Sequence, residues 1–94
     1  MAKDLQFFLA KQLVLDNLNS LQMSLARAVE EGMIDFEDEY YNELLGLIED
    51  GETVQSWDEL LEVITRAKAL EIDIVAWFSH HGRTTLSLSW PNRQ

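Results

Sequence analysis

The chain has 94 residues, and its single proline, four glycines and 47% hydrophobic content are typical of one globular, largely helical domain spanning residues 1–94. It contains no cysteine, which excludes disulfides, thiol nucleophiles and thiolate metal centres. Because small secreted domains usually depend on disulfides, we expect a cytoplasmic protein. Seventeen acids against seven bases give a net charge of −10, which disfavours direct nucleic-acid binding.

The first predicted element is a long helix over residues 3–31 that ends at Gly32. One of its faces is apolar at helical spacing and is predicted to face the core; this face carries Phe7, Val14, Leu18, Leu21, Leu25 and Ala28. The polar segment 16–20 could break the helix, since its side chains compete for backbone hydrogen bonds, but we predict that the helix is unbroken. Lys11 and Asp16 interrupt the apolar run, so we expect no membrane span.

The same helix is apolar on a second side in its first half, which predicts a second packing partner. About 28 residues of helix are roughly 42 Å long, whereas a compact globule of this length is only about 32 Å across. The helix should therefore extend beyond its own domain, and we predict a homodimer. The predicted dimer interface consists of Leu5, Phe8, Leu9, Leu13 and Trp90.

A second helix is predicted over residues 35–50, with Asp35 as its N-cap and Gly51 as its end. It lies in a stretch between Arg27 and Arg66 that contains no base and thirteen of the seventeen acids. Acids in the first turn are explained by the helix dipole alone. A basic partner protein could also bind them, and the candidate binding residues are Asp35, Glu37, Asp38, Glu39, Tyr41 and Glu43.

A third helix is predicted to begin at a capping box formed by Ser56 and Glu59. The residues after it allow two interpretations. The β-branched residues favour a β-hairpin, with strands over 72–79 and 84–90 and a turn around Gly82; alternatively the third helix extends to His81 and is capped by Gly82. We predict the hairpin, hence an α+β, mainly helical fold of three helices and a C-terminal β-hairpin. The alternative is an all-α fold with a lone C-terminal strand.

Motifs for chemistry are missing from the sequence. A calcium loop that starts at Asp35 would need glycine where Tyr40 stands and glutamate where Gly46 stands. His80, His81 and Arg83 form one candidate ligand site at the predicted hairpin tip. We predict no catalytic residue, cofactor or metal.

The sequence therefore predicts a small acidic, non-enzymatic protein–protein interaction protein, acting as a regulator, adaptor or inhibitor and forming a dimer. Two alternatives remain open. The acidic face could mimic nucleic-acid phosphates and inhibit a basic protein, or a dimer cleft near the hairpin tip could bind a small molecule or act as an enzyme.

Overall fold

The computed structural model describes residues 2–33, 39–82 and 88–91, and these contain three helices: α1 (Ala2–Glu30), α2 (Glu39–Thr53) and α3 (Trp57–His80). The end of α2 lies beside the first half of α1, where Lys11 Nζ donates to the carbonyl oxygen of Val54 at 3.3 Å. The start of α3 lies beside Phe7, whose ring meets Trp57 edge to face at 5.8 Å. Hence α2 is antiparallel to α1, and α3 returns in the direction of α1.

The helix α1 is unbroken, as predicted, and it ends at Gly32 with a Schellman motif. Gly32 has a φ of +75°, a conformation that costs glycine little. Its N–H donates to the carbonyl oxygen of Val29 at 3.0 Å, and the N–H of Met33 donates to that of Ala28 at 2.9 Å. These two bonds pair carbonyls that the helix end leaves without helical partners.

The buried side chains of the three helices form one apolar cluster. The predicted core face of α1 is confirmed, because all of its residues are buried except Phe7, which is half-buried. Each fully buried leucine or isoleucine contributes about 1.5–3 kcal/mol. The largest fully buried side chains are Leu18, Leu25, Leu44, Leu47, Leu60, Leu70 and Ile74, with Val14.

The prediction that α2 ends at Gly51 is wrong, because the helix continues to Thr53 and Gly51 is buried inside it. A Cβ atom at Gly51 would lie 3.1 Å from Cδ2 of Leu15, 3.7 Å from Cδ1 of Leu18 and 4.0 Å from Cγ1 of Val63. The missing side chain thus lets α2 approach both neighbouring helices. Close packing, and not termination, is the reason for glycine at this position.

The predicted start of α3 is confirmed, with Ser56 as its N-cap. Ser56 Oγ accepts from the backbone N–H of Glu59 at 3.2 Å, and its hydroxyl lies 3.4 Å from Glu59 Oε1. This cap fixes where α3 begins, directly after the short connection that follows α2.

The predicted β-hairpin is wrong, and the fold of the described residues is all-α. The segment expected to be the first strand, 72–79, lies inside α3, and α3 ends with Gly82 at a φ of +73°. The reason is the spacing of the apolar residues: Leu70, Ile74 and Phe78 are buried one turn apart and extend the buried side of α3. Neither glycine nor proline interrupts the helix before Gly82.

Residues 88–91 cross the groove between α1 and α3 without forming a strand. Asn17, a buried polar residue of α1, donates its side-chain amide to the carbonyl oxygen of Ser89 at 2.6 Å. Trp90 Nε1 donates to Glu71 Oε1 of α3 at 3.3 Å. The remainder of the predicted second strand, 84–87, lies outside the described residues.

The predicted overhang of the long helix is largely absent. The molecule measures 47 × 22 × 17 Å with a radius of gyration of 14.0 Å, so it is elongated and about as long as α1 itself. Because α3 begins beside Phe7, only the first turn of α1 extends past its neighbour. The length of α1 is therefore no argument for a dimer, and any such argument depends on the surface of α1.

Candidate functional site

The first candidate surface is an exposed apolar stripe on α1, which consists of Leu5, Phe8, Leu9 and Leu13 and is called here the α1 stripe. These side chains are 58%, 55%, 56% and 40% exposed, respectively. At 100° per residue they lie on the side of α1 that faces away from its buried residues. The structure therefore brings four of the five predicted interface residues together on one surface.

The surroundings of the α1 stripe contain little charge. Residues 5–15 include no acid, and Lys11 is their only base. The Lys11 ammonium group points inward to the carbonyl oxygen of Val54, where it adds no charge to the stripe. Two acids flank the stripe in the sequence: Asp4, one turn before Phe8, and Asp16, one turn after the last leucines and exposed. In a chain of net charge −10, this apolar surface without acids differs from its surroundings.

The fifth predicted interface residue, Trp90, is separate from the α1 stripe. It is half-buried against the core cluster, and its indole N–H is bonded to Glu71 within the same chain. The neighbouring residue Ser89 contacts Asn17 of α1. Asn17 lies on a different side of that helix from the α1 stripe. Trp90 thus stabilises the fold of the single chain.

Of the six predicted partner-binding residues, the structure describes three. Glu39 and Glu43 are exposed one turn apart on the same side of α2, whereas Tyr41 is half-buried and packs against the core. Asp35, Glu37 and Asp38 lie outside the described residues. Asp50, on the same side as the two glutamates, forms an exposed ion pair with Arg66 of α3 at 3.0 Å.

His80 and His81 lie at the C-terminal end of α3 and not at a hairpin tip. The His81 ring stacks on Trp77 with centroids 4.1 Å apart, and its Nδ1 lies 2.8 Å from the carbonyl oxygen of Trp77. The two imidazole rings meet edge to face at 5.4 Å. Arg83 lies outside the described residues.

The histidine pair and the α1 stripe lie at opposite ends of the molecule. Since α3 begins beside Phe7 and is 24 residues long, its histidines are separated from the stripe by roughly 30 Å. A dimer that forms through the stripe would not place these histidines in its interface. The predicted combination of a dimer cleft with a histidine site therefore has no support from this arrangement.

Metal-ligating and membrane-spanning features are missing from the part of the chain that the structure describes. Within residues 2–33, 39–82 and 88–91, no three histidine or carboxylate side chains are grouped so that they could hold a metal ion. Among the same residues, no helix is long and apolar enough to cross a membrane.

Sequence reasoning missed the polar contacts that hold residues 88–91 in place. Asn17 lies in the buried arc of α1, between Val14 and Leu18, where a polar side chain is unusual. A buried amide requires a hydrogen-bond partner. The position of Asn17 in the sequence therefore indicated that another segment covers this part of α1. The partner, Ser89, is 72 residues away and is not indicated by any local pattern.

Comparisons of this chain with protein-family models, with curated proteins and with solved structures give no match.

Proposed function

We propose that this chain is a small, non-enzymatic protein–protein interaction protein that forms a homodimer through the α1 stripe. The observation that supports this proposal is the exposure of Leu5, Phe8 and Leu9, each more than half accessible on the side of α1 that its own core does not need. Exposed apolar patches of this kind mark interaction sites in soluble proteins.

The size of the patch is consistent with a reversible dimer. The four side chains of the α1 stripe expose roughly 400 Å² per chain, which is the size of the largest apolar patch on a typical monomer, a patch that is often functional. Covering most of two such patches contributes about 15 kcal/mol before costs. Association costs about 4–15 kcal/mol, which offsets most or all of this gain, and a pair of patches this small is typical of a weak, reversible contact. We therefore propose a dimer in about the micromolar range.

Charge favours the α1 stripe over the rest of the molecular surface as the place where a second copy binds. Two chains of net charge −10 repel each other, and the repulsion is smallest where acids are missing. Salt screens this repulsion without weakening apolar contact. Dimerisation should consequently become tighter as the salt concentration rises.

Sedimentation equilibrium tests the proposal with a matched pair of variants. Wild type should change from monomer to dimer between about 1 and 100 µM. Leu9→Glu should weaken the dimer by at least roughly tenfold, because it places a charge in each half of the interface. Met23→Glu makes the same kind of change on the same helix, at a side chain that is 71% exposed and outside the stripe, and should leave the dimer intact.

Two outcomes would contradict the homodimer. One is a wild-type chain that stays monomeric over the whole concentration range at high salt. The other is an equal effect of Leu9→Glu and Met23→Glu. Circular dichroism of each variant separates loss of association from loss of folding, because the helical signal should be unchanged in both.

A second candidate function is binding of a basic protein by α2. The helix carries five exposed acids and no base, and Glu39 and Glu43 lie together on one side of it. A partner captured at low salt should dissociate at high salt, which is opposite to the expected behaviour of the homodimer. Reversal of both charges, by Glu39→Lys with Glu43→Lys, should abolish capture, and Glu52→Lys on another side of α2 should preserve it. Capture that survives the double reversal would exclude this role.

A further inference from the structure

From the contacts of residues 88–91, called here the C-terminal strap, we infer that the groove between α1 and α3 is a second interaction surface. Its partner is an extended segment of another protein, with an apolar residue followed two positions later by a tryptophan. The strap occupies this groove within the single chain. The inference does not depend on the homodimer, because Asn17 in the groove and the α1 stripe lie on different sides of α1.

The strap is held by the kinds of contact that bind an extended peptide. Leu88 and Trp90 pack against the core, whereas Ser89 between them is exposed, which is the alternation of an extended chain. Asn17 donates to a main-chain carbonyl oxygen, a contact that any residue can supply, and Glu71 accepts from the indole N–H. Peptide-binding grooves combine main-chain hydrogen bonds with pockets for alternate side chains in this way.

The helical core is complete without the strap. Among the described residues, every buried apolar side chain lies between Ala10 and Phe78. The side chains of residues 88–91 are exposed or only half-buried. Segments with few buried contacts open locally at a low cost in free energy. The strap can therefore leave the groove while the three helices stay folded.

Asn17 gives the groove an anchor for a main-chain carbonyl. Its side chain is only 8% exposed, and it is the one buried polar residue among those described. An apolar side chain would continue the core face of α1 without needing a partner, whereas a buried amide is unfavourable unless it is hydrogen-bonded. A segment of another protein can supply the carbonyl oxygen that Ser89 supplies within the chain.

The strap also regulates the groove, because a partner binds only when the groove is open. Minor conformations of this kind are populated at about 10% or less. The apparent dissociation constant for a peptide is the intrinsic one divided by the open fraction. Releasing the strap should therefore tighten peptide binding by at least about tenfold.

Nuclear magnetic resonance of the full-length, ¹⁵N-labelled chain tests this inference, with a synthetic peptide of residues 86–94, LSLSWPNRQ, as the probe. Trp90→Ala removes the main side chain of the strap and should leave the helical circular dichroism signal unchanged. The side-chain amide signal of Asn17 reports occupation of the groove. In Trp90→Ala it should shift at peptide concentrations at least about tenfold lower than in wild type.

A matched pair of variants locates the bound peptide. A peptide with phenylalanine in place of its tryptophan lacks the N–H that Glu71 accepts and should bind Trp90→Ala about two- to tenfold more weakly. Adding Glu71→Ala to Trp90→Ala should abolish this difference between the peptides. Adding Glu62→Ala removes the same charge on the opposite side of α3, nine residues earlier and exposed, and should preserve the difference.

Each other result would overturn the inference. Binding to neither chain, or equal binding to wild type and Trp90→Ala, would mean that the strap does not occupy a peptide site. Loss of the helical signal in Trp90→Ala would mean that the fold requires the strap. A difference between the two peptides that persists in Glu71→Ala would place the peptide elsewhere. Dimers that persist in Leu9→Glu and disappear when Trp90→Ala is added would make a second copy the occupant.

Discussion

Replacement of the two glycines inside α2 tests how that helix packs, because an added Cβ atom would meet neighbouring side chains at only one of them. Gly46 and Gly51 are both helical, but a Cβ atom at Gly46 would meet nothing within 4 Å, whereas one at Gly51 would lie 3.1 Å from Cδ2 of Leu15. In a helix interior, alanine is more favourable than glycine by about 0.5–1 kcal/mol. Gly46→Ala should therefore stabilise the protein by about this amount and raise the melting temperature by about 2–8 °C.

Gly51→Ala gains the same helix propensity but must displace the end of the half-buried Leu15 side chain by a few tenths of an ångström. We expect its net gain to be about 1 kcal/mol smaller than that of Gly46→Ala, since this is the lower end of the usual overpacking costs. Gly51→Val adds two further methyl groups toward Leu15 and Val63, and should destabilise the protein by about 1–3 kcal/mol.

Chemical denaturation at one fixed protein concentration measures these differences, because the proposed self-association would make the apparent stability depend on concentration. A loss of more than about 1 kcal/mol in Gly51→Ala would mean that the Leu15 side chain cannot be displaced at the expected low cost. A loss of stability in Gly46→Ala would mean that α2 is not continuous through residue 46. Either result would refute the packing described for this helix.

Three further predictions concern α3 and the segment that covers it. Ile72→Ala should change the stability by less than about 0.5 kcal/mol, since Ile72 is 68% exposed, whereas Ile74→Ala should cost about 2–4 kcal/mol at a buried site; equal losses in thermal unfolding would argue against a helix here. Gly82→Ala should cost about 1 kcal/mol because Gly82 has a φ of +73°, and no loss would show that α3 ends elsewhere. Trp90→Phe removes the hydrogen bond to Glu71 and should cost about 1 kcal/mol, with increased proteolysis near the C-terminus as the readout; unchanged proteolysis would mean that this bond does not hold the segment.

The sequence predicted α1 in detail because several local signals agree there. The core face repeats at helical spacing over about six turns, and Gly32 supplies the left-handed residue that a Schellman motif needs. The N-cap at Ser56 is likewise a local signal, since the serine and the Glu59 N–H that it binds lie within four residues. Where contacts between residues close in sequence determine the structure, the sequence alone is sufficient to predict it.

The failure at residues 72–79 has a physical cause. The scale of strand propensities, on which β-branched residues rank high, spans only about 1 kcal/mol and depends on context. Burial of Ile74 and Phe78 against the core contributes about 1.5–3 kcal/mol for each side chain, and extending a helix that is already nucleated costs little. Because packing outweighs propensity, the helix that begins at Trp57 continues to His80.

The candidate site was predictable only in part, for a related reason. The second apolar side of α1 is visible in the helical spacing of Leu5, Leu9 and Leu13, and the structure leaves that side exposed. The location of Trp90 depends on where a distant segment returns to the bundle, and no local pattern encodes it. The same applies to Asn17, whose amide signals a buried partner but does not identify Ser89.

If the α1 stripe is a dimer interface, as proposed, then largely separate residues of α1 determine folding and association. Residues on the core side, such as Val14 and Leu18, are fully buried within one chain, so their loss should lower the stability of monomer and dimer alike. Leu5 and Leu9 contribute little to that core, so their loss should leave the monomer folded. If the α1 stripe binds a second copy, wild type should melt at a higher temperature as concentration rises, and Leu9→Glu should not. A concentration-independent melting temperature in wild type would mean that the stripe is not covered by a second copy of the chain.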